Sequence, residues 1–163
     1  MAGPVEAAVL IPVYTDERGP VVVYTERSSD LRKHAGEISF PGGRRDPGED
    51  LRTTALREAE EEIGLPRDLV EITAELEPIG TFVSGFRITP YLAGVPAGLV
   101  WVPAAREVAR VLEFPVSALR AGHRFERLLS KGVPVRTDTY TVDGHLVWGA
   151  TARITRNLLE VLQ

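Results

Sequence analysis

Gly43-Arg44-Arg45-Asp46-Pro47-Gly48-Glu49-Asp50-Leu51-Arg52-Thr53-Thr54-Ala55-Leu56-Arg57-Glu58-Ala59-Glu60-Glu61-Glu62-Ile63-Gly64-Leu65 is the stretch on which the fold turns. Its second half carries a helical period. Leu51, Ala55, Ala59 and Ile63 recur every fourth residue, and Leu56 widens the apolar stripe. The spacing predicts a helix over residues 50–63, with Gly64 as its C-terminal cap and Pro66 preventing continuation. Glu58, Glu60, Glu61 and Glu62 crowd the end of that helix. Glu58 and Glu62 stack one turn apart with Glu61 beside them, and these three are expected to point together, away from the core.

Stability alone does not select such a cluster. Like charges four residues apart cost roughly 0.2–0.5 kcal/mol on an isolated helix, and the helix dipole disfavours anions at a C-terminus. A divalent cation relieves both penalties. Carboxylates are hard oxygen ligands suited to Mg²⁺ or Mn²⁺. The alternative is a solvated acidic face with Arg57 as an intrahelical partner.

The spacing extends further. Gly43 is followed after five residues by Glu49, and after seven more by Arg57-Glu58-Ala59-Glu60-Glu61-Glu62-Ile63-Gly64-Leu65. This resembles the catalytic box of the Nudix hydrolases at each defining position, with Ala59 a small occupant of the aliphatic slot. The resemblance implies an α+β fold, a mixed α/β/α sandwich with the box as loop–helix–loop, over a single domain spanning residues 1–163. It implies hydrolysis of nucleoside diphosphates linked to another moiety. Carried over by position, Glu58 and Glu62 are metal ligands for Mg²⁺ or Mn²⁺. Glu61 binds metal directly or through water, or acts catalytically. Arg57 orients carboxylates including Glu49, and a backbone carbonyl near Gly42 or Gly43 adds a ligand. The general base stays open between a box glutamate and one from a later loop, with Glu107 and Glu113 as candidates.

A second signature precedes the box. Thr25, Arg27, Ser28, Arg32, Gly36 and Phe40-Pro41-Gly42-Gly43 resemble the motif of the coenzyme A pyrophosphatases within that family. Val23-Tyr24 stand where that subfamily usually has two aliphatics. Arg27 and Arg32, with Lys33 and His34, place several donors ahead of the acidic helix, and arginine binds phosphate through paired hydrogen bonds. Coenzyme A carries a pyrophosphate and a 3′-phosphate, which extra cations suit. The alternative is that the two arginines pair with Asp30, Glu37 or Asp46. Phe40-Pro41-Gly42-Gly43 is expected to be an entry turn whose glycines let backbone approach phosphate or metal.

Around this centre, residues 9–14 and 21–26 predict two strands with a turn between them. Residues 27–49 form a long loop with short ordered pieces, a length that is often functional. Residues 71–82 and 88–95 predict strands with a turn at Ser84-Gly85, and residues 111–114 a short strand before a helix starting near Pro115. Asp143-Gly144 between residues 135–142 and 145–148 is a strong hairpin signal. Residues 150–162 predict an amphipathic helix with Ile154, Leu158 and Val161 on one side. Trp148-Gly149-Ala150-Thr151-Ala152 resembles the start of the closing helix in the same subfamily. His123, Arg124 and Arg127 are expected on a solvated helix face, His145 at the surface, and Trp101, Trp148 and Tyr91 in packing roles.

Composition limits the alternatives. The chain of 163 residues, 44% hydrophobic, suffices for one core. It holds no cysteine, which excludes disulfides, zinc–thiolate sites and a cysteine nucleophile. No apolar run reaches the ~20 residues of a membrane span, and the first residues lack a secretory signal, so a cytoplasmic location and no membrane partner are expected. The net charge of −4 argues against a nucleic-acid partner. A small-molecule nucleotide of the coenzyme A type is the expected partner, and a homodimer is left open. Rival readings are another nucleotide, such as ADP-ribose, NADH or an oxidised nucleoside triphosphate, and a binding module without catalysis. ADP-ribose enzymes of the family tend to carry a proline about fifteen residues beyond the box, where this chain has Gly80 and Thr81.

Overall fold

The computed structural model describes residues 3–31, 36–81, 85–130 and 132–163. Strands β1 (Val5–Asp16) and β2 (Gly19–Arg27) form the expected hairpin, paired antiparallel from Val13↔Val22 to Asp16↔Gly19. Their open ends separate and admit two short strands. One is β3 (Ile38–Ser39), which pairs with β2. The other is β4 (Gly42–Arg44), which pairs with β1 at Ala7, Ala8 and Val9. Beyond β1 lies β7 (Phe86–Gly94), which runs parallel to it. Antiparallel to β7 run β5 (Glu71–Glu75) and β6 (Ile79–Thr81), while β8 (Val108–Pro115) borders β2.

Both faces of this mixed sheet are covered, which is why β1 and β2 read as almost unbroken apolar runs. Leu10, Val21 and Val23 face the box helix α1 (Leu51–Ile63), whose Ala55, Ala59 and Ile63 are buried against them. Ile11, Val22 and Tyr24 face the closing helix α3 (Gly149–Val161), which buries Ile154 and Leu158. Neighbouring residues along one strand thus feed opposite layers, the period-two rule of a strand. The expected sandwich is the observed one. Val161 departs from its expected place and is exposed.

A second sheet orders β11 (His145–Val147), β10 (Val133–Val142) and β9 (His123–Ser130). Asp143 and Gly144 both take positive φ at its tight turn, +50° and +80°, as an Asp-Gly hairpin requires. The short helix α2 (Val116–Ala121) leads into β9. His123, Arg124 and Arg127 therefore stand on a strand and not on a helix. The segment expected as one strand over residues 71–82 is split by Leu76-Glu77-Pro78. Pro78 has no amide hydrogen to continue a ladder.

Candidate active site

The box helix is capped as its sequence dictates. Asp50 accepts from the Thr53 amide at 2.8 Å, and Gly64 closes the helix with φ +68°. Just ahead of it, Glu49 is held from three sides. Arg57 grips it bidentately, Nε at 2.8 Å and Nη2 at 3.0 Å, the buried Thr54 hydroxyl donates at 2.7 Å, and the Asp46 amide at 3.2 Å. The Arg57 guanidinium is the first cause, with Thr54 assisting, that pulls the Glu49 carboxyl down to about 2. Arg57 also reaches Glu58 at 3.1 Å, Glu61 at 3.3 Å and the Arg44 carbonyl at 3.2 Å. One guanidinium thus connects Glu49, Glu58 and Glu61, and Glu49 first, then Glu58 and Asp46, raise its pKa further.

Glu62 departs from the expected outward orientation. Only Glu61 is open, with 58% of its side chain exposed, whereas Glu62 is 7% exposed. The helix geometry explains the difference. Glu58 and Glu62 each precede a residue of the apolar stripe, Ala59 and Ile63, so they lie about 100° round from it rather than opposite. There β4 covers them, and the Gly42 amide donates to Glu62 Oε2 at 2.9 Å. Burial first, and the neighbouring Glu58 second, push the Glu62 carboxyl up to about 9 against the opposing pull of that amide.

Gly42 and Gly43 are strand residues rather than a turn. A Cβ on Gly43 would stand 2.6 Å from Glu58 Oε1, and one on Gly42 would meet the backbone of Ala8 and Val9. The glycines let β4 lie between β1 and the carboxylates.

A later loop closes over the end of α1. The Val102 amide donates to the Ile63 carbonyl at 3.0 Å and the Ala104 amide to the Glu62 carbonyl at 2.9 Å. The turn continues to Glu107, whose carbonyl accepts from Ser28 at 2.9 Å and whose charge acts on Glu62. Glu113 is engaged elsewhere, accepting from Tyr14 at 2.9 Å and Trp101 at 3.0 Å. Sequence reasoning missed both Thr54 and this docking turn. A buried hydroxyl inside a helix and a backbone bond between distant segments leave no pattern in the chain.

Arg27 ends β2 where its pairing with β8 slips register, and its Nε is buried without a hydrogen-bond partner among the described residues. Arg32, Lys33 and His34 lie outside the described residues. Tyr91 is core, as expected. His145 is half-buried, its ring 5.9 Å from Phe114.

The NUDIX domain model matches residues 4–128. A Yersinia pestis protein carrying the name uncharacterized Nudix hydrolase NudL is 37% identical over 157 residues, covering 94% of this chain and 78% of its own. A Nudix hydrolase from M. smegmatis, RenU, superposes with a TM-score of 0.62 at 22% identity, over 74% of this chain and 76% of that one. The NUDIX domain of Shewanella oneidensis NrtR, crystallised with ADP ribose, gives 0.64 at 12% identity, over 100% and 91%. The chain belongs to the Nudix family.

Nudix hydrolases generally use divalent metal ions such as Mg²⁺ or Mn²⁺. The residues here fit such an ion. Their donors are all oxygen, and Glu62 is a carboxyl whose burial beside Glu58 disfavours its charge until a cation compensates. Among the described residues, no three acidic or histidine side chains close round one point; Arg57 stands among Glu49, Glu58 and Glu61.

Proposed function

We propose that this Nudix hydrolase cleaves the pyrophosphate bond of coenzyme A or its thioesters. The products are 3′-phosphoadenosine 5′-phosphate and 4′-phosphopantetheine or its acylated form. The observation that carries the substrate is Arg27, a position of the coenzyme A motif whose buried Nε has no hydrogen-bond partner among the described residues. A buried donor without an acceptor costs on the order of 1–3 kcal/mol, and a phosphate oxygen satisfies it.

Glu58 and Glu62 would hold the divalent ion, with Glu61 reaching it directly or through water, and the ion when bound would supply neutralisation of phosphate charge and activation of water. Arg57 keeps Glu58 and Glu61 oriented, and Glu49 anchors Arg57. Gly42 and Gly43 bring backbone to the phosphates beside these carboxylates. Water attacks one phosphorus, the bridging P–O bond breaks, and the bridging oxygen leaves with the other phosphate. Glu107 takes the proton. Its turn is bonded to the Glu62 end of the box helix, whereas Glu113 already serves Tyr14 and Trp101.

The test is product analysis on coenzyme A, ADP-ribose and 8-oxo-dGTP in parallel, with Mg²⁺ or Mn²⁺. The two named products should form fastest from coenzyme A. ADP-ribose hydrolysis far ahead of it would overturn the substrate, and binding without any hydrolysis would overturn the activity.

A further inference from the structure

On the α3 side of the sheet, a cleft of about 340 Å³ separates the segment leading into the box from the β10–β11 hairpin. Glu26, Glu37 and Ile38 line one wall, and His145, Leu146 and Trp148 the other. The volume lies within the roughly 300–1,000 Å³ of small-molecule sites. Resting on the reading above that the substrate is an adenine nucleotide, we propose that this cleft holds the adenine ring, stacked on Trp148, with its amino group turned to the carboxylate wall.

Trp148 is placed oddly for a purely structural residue. It occupies the N-cap of α3 and makes no side-chain cap bond there, where Ser, Thr, Asp or Asn would stabilise the helix. The ring is half-buried at the cleft. A flat aromatic surface of this kind takes a nucleobase through stacking. His145 beside it is steadied from within by Phe114.

The carboxylates of this wall set how the base lies. Glu26 is ion-paired with Arg110 at 2.6 Å, and a carboxylate can accept several hydrogen bonds, so Glu26 and Glu37 suit an exocyclic amine. Cations lie just outside. The Arg27 amide donates to the Glu37 carbonyl at 2.8 Å, and the Arg27 carbonyl accepts from Gly36 at 3.1 Å, which fixes this arginine to the cleft's wall. From Ile38 the chain reaches Gly42, the partner of Glu62, in four residues, a span of at most ~14 Å. Base, phosphate clamp and carboxylates therefore follow one another along a single segment.

The experiment uses the full chain carrying Trp101→Phe, which leaves Trp148 as its single tryptophan. AMP should quench its fluorescence, and 4′-phosphopantetheine at equal concentration should not. Quenching by phosphopantetheine alone, or by neither, overturns the proposal. Inosine monophosphate, which presents a carbonyl in place of the amine, should bind more weakly than AMP; equal binding removes the role given to the carboxylate wall and overturns the stated orientation. In otherwise wild-type protein, Trp148→Leu should raise KM about tenfold with kcat little changed, and Trp148→Phe should restore most of the loss. An unchanged KM in a folded Trp148→Leu variant also overturns it. AMP quenching without coenzyme A hydrolysis keeps the adenine cleft and removes the proposed substrate. Coenzyme A hydrolysis without AMP quenching does the reverse.

Discussion

The Gly42 amide donates to Glu62 Oε2 across 2.9 Å, fastening the strand before the box helix to a carboxylate in its last turn. That bond favours the ionised carboxylate, but burial and Glu58 outweigh it and raise the Glu62 carboxyl to about 9. The fold holds an acid where its charge is costly, and a cation reverses that balance.

Glu62→Gln therefore separates stability from turnover. Glutamine still accepts from Gly42 and carries no charge. Turnover should fall at least about a hundredfold, beyond the 10–100-fold typical of groups that only support metal ligands. The metal-free variant should nevertheless be more stable than wild type at neutral pH. Glu62 has a folded pKa above its unfolded one, so the folded state retains the proton more tightly. Its stabilising contribution is present below the ordinary carboxylate range and is lost as pH rises to about 9. Urea melts with EDTA at pH 5, 7 and 9 should show this slope in wild type, diminished in the variant, and saturating Mg²⁺ or Mn²⁺ should flatten it. Equal stability of the two metal-free proteins at pH 8 would contradict the burial cost.

Arg57→Lys tests the guanidinium as a connector. Lysine keeps the charge but cannot grip Glu49 with two nitrogens while reaching Glu58 and Glu61. Turnover should drop about 10–100-fold with KM changed less. In wild type, the lowered Glu49 carboxyl adds stability above its unfolded pKa, and this is lost as pH falls toward about 2. The acid limb of the stability curve should accordingly shift upward in the variant. Wild-type turnover from Arg57→Lys would show that positioning of these carboxylates is unimportant.

The two glycines should fail differently. Gly43→Ala places a methyl 2.6 Å from Glu58 Oε1, the end of a flexible side chain, so Glu58 is displaced while the fold survives. Gly42→Ala meets the backbone of Ala8 and Val9, which cannot move aside, and should cost about 1–3 kcal/mol or more of stability. Thermal melts beside activity measurements distinguish them. A Gly43→Ala protein with full turnover would dissociate Glu58 from the chemistry.

The box helix was legible because its signals are local: a four-residue apolar period, Asp50 and Gly64 at its ends, and glutamates at fixed spacing. The Asp143-Gly144 turn was legible for the same reason. Glu62's burial was not, because the strand that covers it comes from twenty residues earlier in the chain. Strand β9 escaped for another reason. Phe125 and Leu129 are exposed on it, so no buried face imposes period-two alternation, and Phe125, Leu128 and Leu129 mimic helical spacing. The cleft beside Trp148 joins segments more than a hundred residues apart, which no motif records.

Glu107 and Glu113 were equal candidates for the base in the sequence, and their surroundings now predict unequal effects. Glu107 sits on an exposed turn whose backbone is bonded to Ser28 and which, at Ala104, is bonded to the end of the box helix. Removing a general base typically costs 10²–10⁴-fold in rate, so Glu107→Gln should lower kcat by about that factor and leave the KM for coenzyme A nearly unchanged. Glu113→Gln keeps an acceptor for Tyr14 and Trp101 and should alter turnover less than about threefold, a surface-like effect. Pre-steady-state rates for both variants across pH 5–9, with metal held saturating, separate loss of the base from slower product release. If Glu113→Gln proves the more damaging of the two, the proton must leave by the Tyr14 side of the sheet, and the loop docked on Glu62 has a structural role alone.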